Sequence, residues 1–140
     1  MNKELREKIE GKSLNKFTRL LKKFGYAFAG LKTAINGHTS FVTHIFIAFL
    51  IALLSIFFQI RATELMFVIS AIFLVLITEL INTAIEESIN LYTKEFNRGA
   101  MISKDAAAAA VLLSTVYALM IGVIVFAPKI YALIKFHQVI

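Results

Sequence analysis

Leu14, Phe17, Leu21, Phe24, Phe28, Leu31 and Ile35 recur at intervals of three and four, while Lys16, Arg19, Lys22, Lys23 and Lys32 occupy the other faces. This period predicts a helix over residues 14–36 with one apolar stripe and a basic side. The pattern then changes. Residues 33–60 carry no formal charge, and FVTHIFIAFLIALLSIFFQI, residues 41–60, is long enough to cross about 30 Å of hydrocarbon. After the short break QIRATE, a second apolar run predicts a span over residues 65–91. The polar loop NLYTKEFNRGAMISKD follows, and residues 106–127 are again uncharged, which predicts a third span over residues 104–127. Pro128 and Lys129 are expected to stop it. Its five consecutive alanines allow close helix–helix approach. With a polar tail over residues 1–13, these elements make one all-α membrane domain of 140 residues: three transmembrane helices preceded by an amphipathic helix lying in the interface.

Composition agrees with that class. Hydrophobic residues make up 59% of the chain, charged residues 17%, and there is a single proline. A soluble amphipathic helix needs a soluble core to cover, and none is encoded. The absence of cysteine removes disulfide and thiolate chemistry. The start, MNKELREKIEGKSLNK, is charged with no apolar core directly after it, unlike a secretory signal.

A net charge of +6 raises the question of nucleic acid, but the placement of the charges points to the cytoplasmic flank of a membrane protein. Residues 1–43 hold nine Lys and Arg, and the second loop adds Lys94, Arg98 and Lys104, against Arg61, Lys129 and Lys135 on the opposite side. The positive-inside bias places the N-terminus and second loop in the cytoplasm and the C-terminus outside. In a bacterium this is the inner membrane.

One feature of the second span does not belong to a plain membrane anchor. In ITELINTAIEESIN, Glu86 and Asn90 fall within about 20° of Glu79 around a helix, and Asn82 lies about 60° to one side. An ionisable group inside a bilayer costs at least ~2.5–3.5 kcal/mol and reads as functional by default. With the orientation above, Glu79 sits about 23 Å in from Glu64, and Glu86 about 10 Å deeper, near the cytoplasmic interface. The column therefore runs from the inner leaflet to the cytosol, where a lipid headgroup meets a soluble substrate. A carboxylate flanked by hydrocarbon is the kind of group tuned for general-base work. One at the aqueous edge suits Mg²⁺, which takes one or two carboxylates plus substrate phosphates. No Gly-x-x-x-x-Gly-Lys-Ser/Thr loop is present, so a nucleotide site here is not a P-loop. From spacing alone, interfacial catalysis, a small proton-coupled transporter and hydrogen bonding between helices all fit.

Three blocks narrow the choice. ELINTAIE, residues 79–86, matches the signature E-x-x-N-[ST]-A-I-E, with FTRLLKKFGYAFAGLK at residues 17–32 and SKDAAAAAVL at residues 103–112 flanking it at matching spacing. Over residues 16–127 the chain resembles the small integral-membrane diacylglycerol kinases of bacteria, a family that includes undecaprenol kinases. The resemblance implies a homotrimer of three-span subunits that transfers the γ-phosphoryl of ATP, with Mg²⁺, to a lipid hydroxyl. Diacylglycerol, giving phosphatidic acid, is the favoured substrate and undecaprenol the alternative. Carried over position by position, Glu79 is the catalytic base, Glu86 a metal ligand and Asn82 a polar partner in the same site, while Arg19, Tyr26, Glu95, Lys104 and Asp105 match nucleotide-contacting positions.

Three departures stand out. His38 occupies the place of a second metal-binding Glu, Val42 that of an Arg, and Asn90 that of an Asp. An imidazole at His38 either ligates metal, suiting Zn²⁺ or another divalent ion better than Mg²⁺, or is a polar residue at the membrane surface. A catalytically inactive scaffold of the same fold is the further alternative these departures leave. Glu87, about 80° off the column, reads as solvated, Ser103 as a helix N-cap, Asp105 as serving that terminus as well as a ligand, and His44 as packing or headgroup contact.

Overall fold

A computed structural model describes residues 16–138, so the expected polar tail and Leu14 lie outside the described residues. Among the described residues the chain is four helices without strands: α1 (Lys16–Gly37), α2 (Thr39–Phe57), α3 (Ala62–Tyr92) and α4 (Arg98–His137). Within the described residues, 16–37 belong to one compact unit and 38–138 to a second.

Taken by itself, α1 has the expected amphipathic pattern, and its apolar stripe of Phe17, Leu21, Phe24, Phe28, Leu31 and Ile35 is exposed.

In the second unit, α2, α3 and α4 are each long and apolar enough to cross a membrane. They run up, down and up, with α3 packed chiefly on α4. A small core near the α2–α3 turn is built on Val68, Val125 and Phe126, with Ile51, Leu54, Phe58 and Ile72 packed against it. The rings of Phe58 and Phe126 lie 6.2 Å apart. Most bulky side chains point outward instead: Phe46, Phe49, Phe73 and Leu119 are all more than half exposed. An apolar exterior of this extent suits hydrocarbon rather than water. Hydroxyls on these faces are satisfied within their own helices, Thr43 by the Thr39 carbonyl and Thr115 by Val111, and the buried Ser55 hydroxyl likewise donates to Ile51.

Helix ends are set by local hydrogen bonding, and here the expected boundaries shift. α2 stops at Phe57 because residues 58–60 close a Schellman turn: Gln59 N–H donates to the Ile56 carbonyl at 3.1 Å and Ile60 N–H to Ser55 at 3.2 Å. Gln59 takes the left-handed conformation this requires, with φ 47°. α3 starts at Ala62, where the Glu64 carboxylate accepts the Arg61 N–H at 2.8 Å. α4 starts at Arg98, because Asn97 Oδ1 accepts from Gly99 N–H at 2.9 Å and Ala100 N–H at 3.1 Å. Asn97 is therefore the N-cap. Ser103, expected in that role, lies inside the helix with its hydroxyl on the Gly99 carbonyl. The expected stop at Pro128 is overturned as well, since α4 continues through it to His137. The missing N–H costs one backbone bond, a loss that spanning helices tolerate. Lys129, one residue on, is held by Glu64 at 3.1 Å across the bundle.

Candidate active site

Glu79 stands in the middle of α3 and is 4% exposed. The periodicity that makes α3 helical aims it at α2, where the Ser40 hydroxyl donates to its Oε1. No other described residue donates to this carboxylate, so Oε2 has no hydrogen-bond partner among the described residues. Its sequence neighbour Thr78 points to the other side of the helix and meets Ser114 of α4, hydroxyl to hydroxyl, at 2.8 Å. Glu79 is thus fixed where all three spanning helices pack. An apolar cleft of about 150 Å³ runs from this level toward the α2–α3 turn, lined by Val75, Ile51, Val68, Thr115, Phe126 and His44. His44 therefore faces packing, not a polar cluster.

One turn beyond Glu79, Asn82 is 9% exposed, and its Nδ2 donates to Glu86 Oε1 at 3.1 Å. Asn82 Oδ1 is buried with no hydrogen-bond partner among the described residues. An orphaned acceptor beside a carboxylate calls for a donor or a cation. His38, at the N-terminus of α2, lies with Nε2 3.6 Å from Glu87 Oε1. Glu87 is thus not simply solvated, although it is more than half exposed.

Next comes the α3–α4 loop, which borders an open cavity of about 670 Å³ lined by Asn90, Lys94, Glu95, Asn97, Lys104 and Asp105 among others. Lys104 Nζ donates to Asn90 Oδ1 at 2.7 Å, joining the last turn of α3 to the start of α4. Thr93 Oγ1 accepts the Glu95 N–H at 3.1 Å and bends the chain between them. Three of the expected nucleotide positions, Glu95, Lys104 and Asp105, share this cavity. Arg19 and Tyr26 lie exposed on α1, in the other compact unit.

Among the described residues no cluster of three or more His, Asp or Glu side chains forms a ready-made cage for a metal. Glu86 and Asn82 Oδ1 nonetheless supply oxygen donors of the kind Mg²⁺ takes alongside phosphate and water. Three residues of this site, Ser40, Thr78 and Ser114, carry no sequence signal. Ser40 and Glu79 are 39 positions apart, and Thr78 and Ser114 are 36 apart; isolated hydroxyls in apolar runs give no hint of their partners.

Comparison with known proteins adds an independent line. The model of a family described as prokaryotic diacylglycerol kinase matches residues 25–126. The chain is 30% identical over 116 residues to an undecaprenol kinase of Bacillus subtilis (strain 168), covering 83% of this chain and 94% of that one. To a diacylglycerol kinase of Escherichia coli (strain K12) it is 29% identical over 102 residues, with 73% and 84% covered. A diacylglycerol kinase of Synechocystis sp. is 31% identical over 115 residues, with 81% and 66% covered. All three blocks of resemblance fall, wholly or in part, inside the matched region, as does the entire polar column. The chain belongs to the prokaryotic diacylglycerol kinase family.

Proposed function

We propose that this membrane protein is an ATP- and Mg²⁺-dependent lipid kinase of the inner membrane, transferring the γ-phosphoryl group to the hydroxyl of diacylglycerol and giving phosphatidic acid. The observation that carries the reading is Glu79: a buried carboxylate inside an apolar helix, with one oxygen held by Ser40 and the other without a hydrogen-bond partner among the described residues. Oε2 takes the proton of the lipid hydroxyl as that oxygen forms its bond to the γ-phosphorus, while the bond to the bridging oxygen breaks and ADP leaves with the electron pair. Lys104, with Lys94 beside it in the loop cavity, faces the phosphates, and Glu95 and Asp105 line the same cavity. Glu86 and Asn82 would hold Mg²⁺, which when bound neutralises phosphate charge. By resemblance alone Arg19 and Tyr26 of α1 match nucleotide-contacting positions, and His38 is a further metal ligand by position.

The Lys and Arg bias supports a cytoplasmic N-terminus and loop, so that ATP reaches the loop cavity from the cytosol. The assembly is read as a homotrimer, testable by light scattering in detergent. Undecaprenol is the second reading for the lipid, favoured by the Bacillus subtilis undecaprenol kinase, of whose length 94% is covered. Transfer of ³²P from ATP to a panel of lipids by the purified protein in mixed micelles decides between them. Labelled phosphatidic acid is expected. Label on undecaprenol alone moves the substrate to the isoprenoid alcohol, and no label with any lipid or divalent metal leaves the inactive scaffold.

A further inference from the structure

Glu79 is steered by a residue outside every motif. Ser40 lies in the first turn of α2, just after the N-cap His38, which provides no side-chain cap. The hydroxyls of Thr43, Ser55, Ser88 and Thr115 all turn back to the carbonyl four residues earlier in their own helices. Ser40 does not; it reaches across to Glu79. Its neighbour Phe41 is 2% exposed and anchors that turn. The unpaired N–H groups of a first helical turn also favour a negative charge nearby. Thr78, the other hydroxyl close to Glu79 in sequence, is committed to Ser114 and to the carbonyls of its own helix.

We infer that Ser40 is a positioning residue for phosphoryl transfer: by occupying Oε1 of Glu79 it fixes the carboxylate plane and presents Oε2 to the lipid hydroxyl. The inference rests on the reading of Glu79 as the base. A carboxylate rotates about its terminal bond with little resistance, and a general base works only within hydrogen-bond reach of the proton it takes. Without the Ser40 donor, the bound lipid meets a distribution of carboxylate orientations. The loss therefore falls on the chemical step, not on binding of either substrate.

The test is steady-state kinetics of full-length Ser40→Ala, Ser40→Thr, Ser40→Val and Glu79→Gln in mixed micelles, with thermal melting of each. Thr and Val have nearly the same shape, and only Thr keeps a hydroxyl. Ser40→Ala and Ser40→Val are expected to lower kcat about 10- to 100-fold, the range for losing a hydrogen bond to a charged group, with KM for ATP and for lipid within about twofold. Ser40→Thr retains most of the turnover. Equal kcat for the Thr and Val variants, or a loss carried by KM, overturns the inference. If Ser40→Ala keeps full turnover while Glu79→Gln is inactive, Ser40 has no such role and the base reading stands. If Glu79→Gln keeps its turnover, the base reading falls and this inference with it.

Discussion

At the scale of single residues, the column on α3 separates into roles by depth. Glu79 is buried and held by a neutral donor; Glu86, less buried, is paired with Asn82; Lys104 belongs to the loop cavity. Glu86→Gln is therefore expected to raise the Mg²⁺ concentration for half-maximal turnover severalfold or to remove activity. Lys104→Ala is expected to weaken binding of a non-hydrolysable ATP analogue, read by titration calorimetry, and to leave lipid binding intact. Unchanged nucleotide binding in both variants moves the nucleotide elsewhere. His38 tests the departure from the family pattern. As a metal ligand it predicts that His38→Ala raises the Mg²⁺ requirement and His38→Glu lowers it. Identical requirements leave it as the partner of Glu87 alone. The column itself was legible in the sequence, because spacing of three, four and seven on a helix is a local rule. Ser40 was not, because its contact crosses between two helices and apolar runs do not encode which faces meet.

At the scale of elements, apolar runs located the spanning helices, and hydrogen bonding at their ends decided where each stops. Asn97 extends α4 backward and the Schellman turn shortens α2, both by side-chain or backbone bonds that a hydropathy pattern does not register. Pro128 misled for a related reason. Proline ends helices where water competes for the freed carbonyl, and in an apolar setting that alternative is missing. The turn after α2 offers a direct check. Gln59 holds φ 47° where glycine is the usual residue. Gln59→Gly is expected to stabilise the fold by about 1 kcal/mol, seen as a raised Tm in detergent with unchanged kinetics. A lowered Tm shows that the Gln59 side chain matters more than its backbone strain.

For the molecule as a whole, orientation is the property on which the proposed ATP site depends. The chain has no cysteine, so single cysteines report cleanly. In intact cells Lys94→Cys is expected to resist a membrane-impermeant maleimide and to react after lysis, and Gln138→Cys to react at once. The reverse pattern inverts the topology and puts the loop cavity out of reach of cytosolic ATP. The class and the three spans were readable because a bilayer imposes a length rule on any helix that crosses it. The assembly was not, because the outward faces of the helices are equally apolar whether they meet lipid or another subunit.

The lengths of the helices carry a final consequence. α3 has 31 residues and α4 has 40, or about 46 and 60 Å, whereas α2 has 19, about 28 Å. The longer two have turns to spare on either side of a hydrocarbon layer about 30 Å thick; α2 has none. Ser40 sits at its very end. A thicker bilayer leaves the longer helices in place and strains the short one, thinning locally or drawing its first turn inward at a fraction of a kcal/mol per ångström. That displacement falls on the Ser40–Glu79 contact. Turnover in vesicles of graded acyl-chain length is therefore expected to peak where the hydrocarbon thickness matches α2 and to decline in thicker membranes, with KM for ATP constant. The enzyme would then gauge the thickness of the membrane whose lipids it modifies.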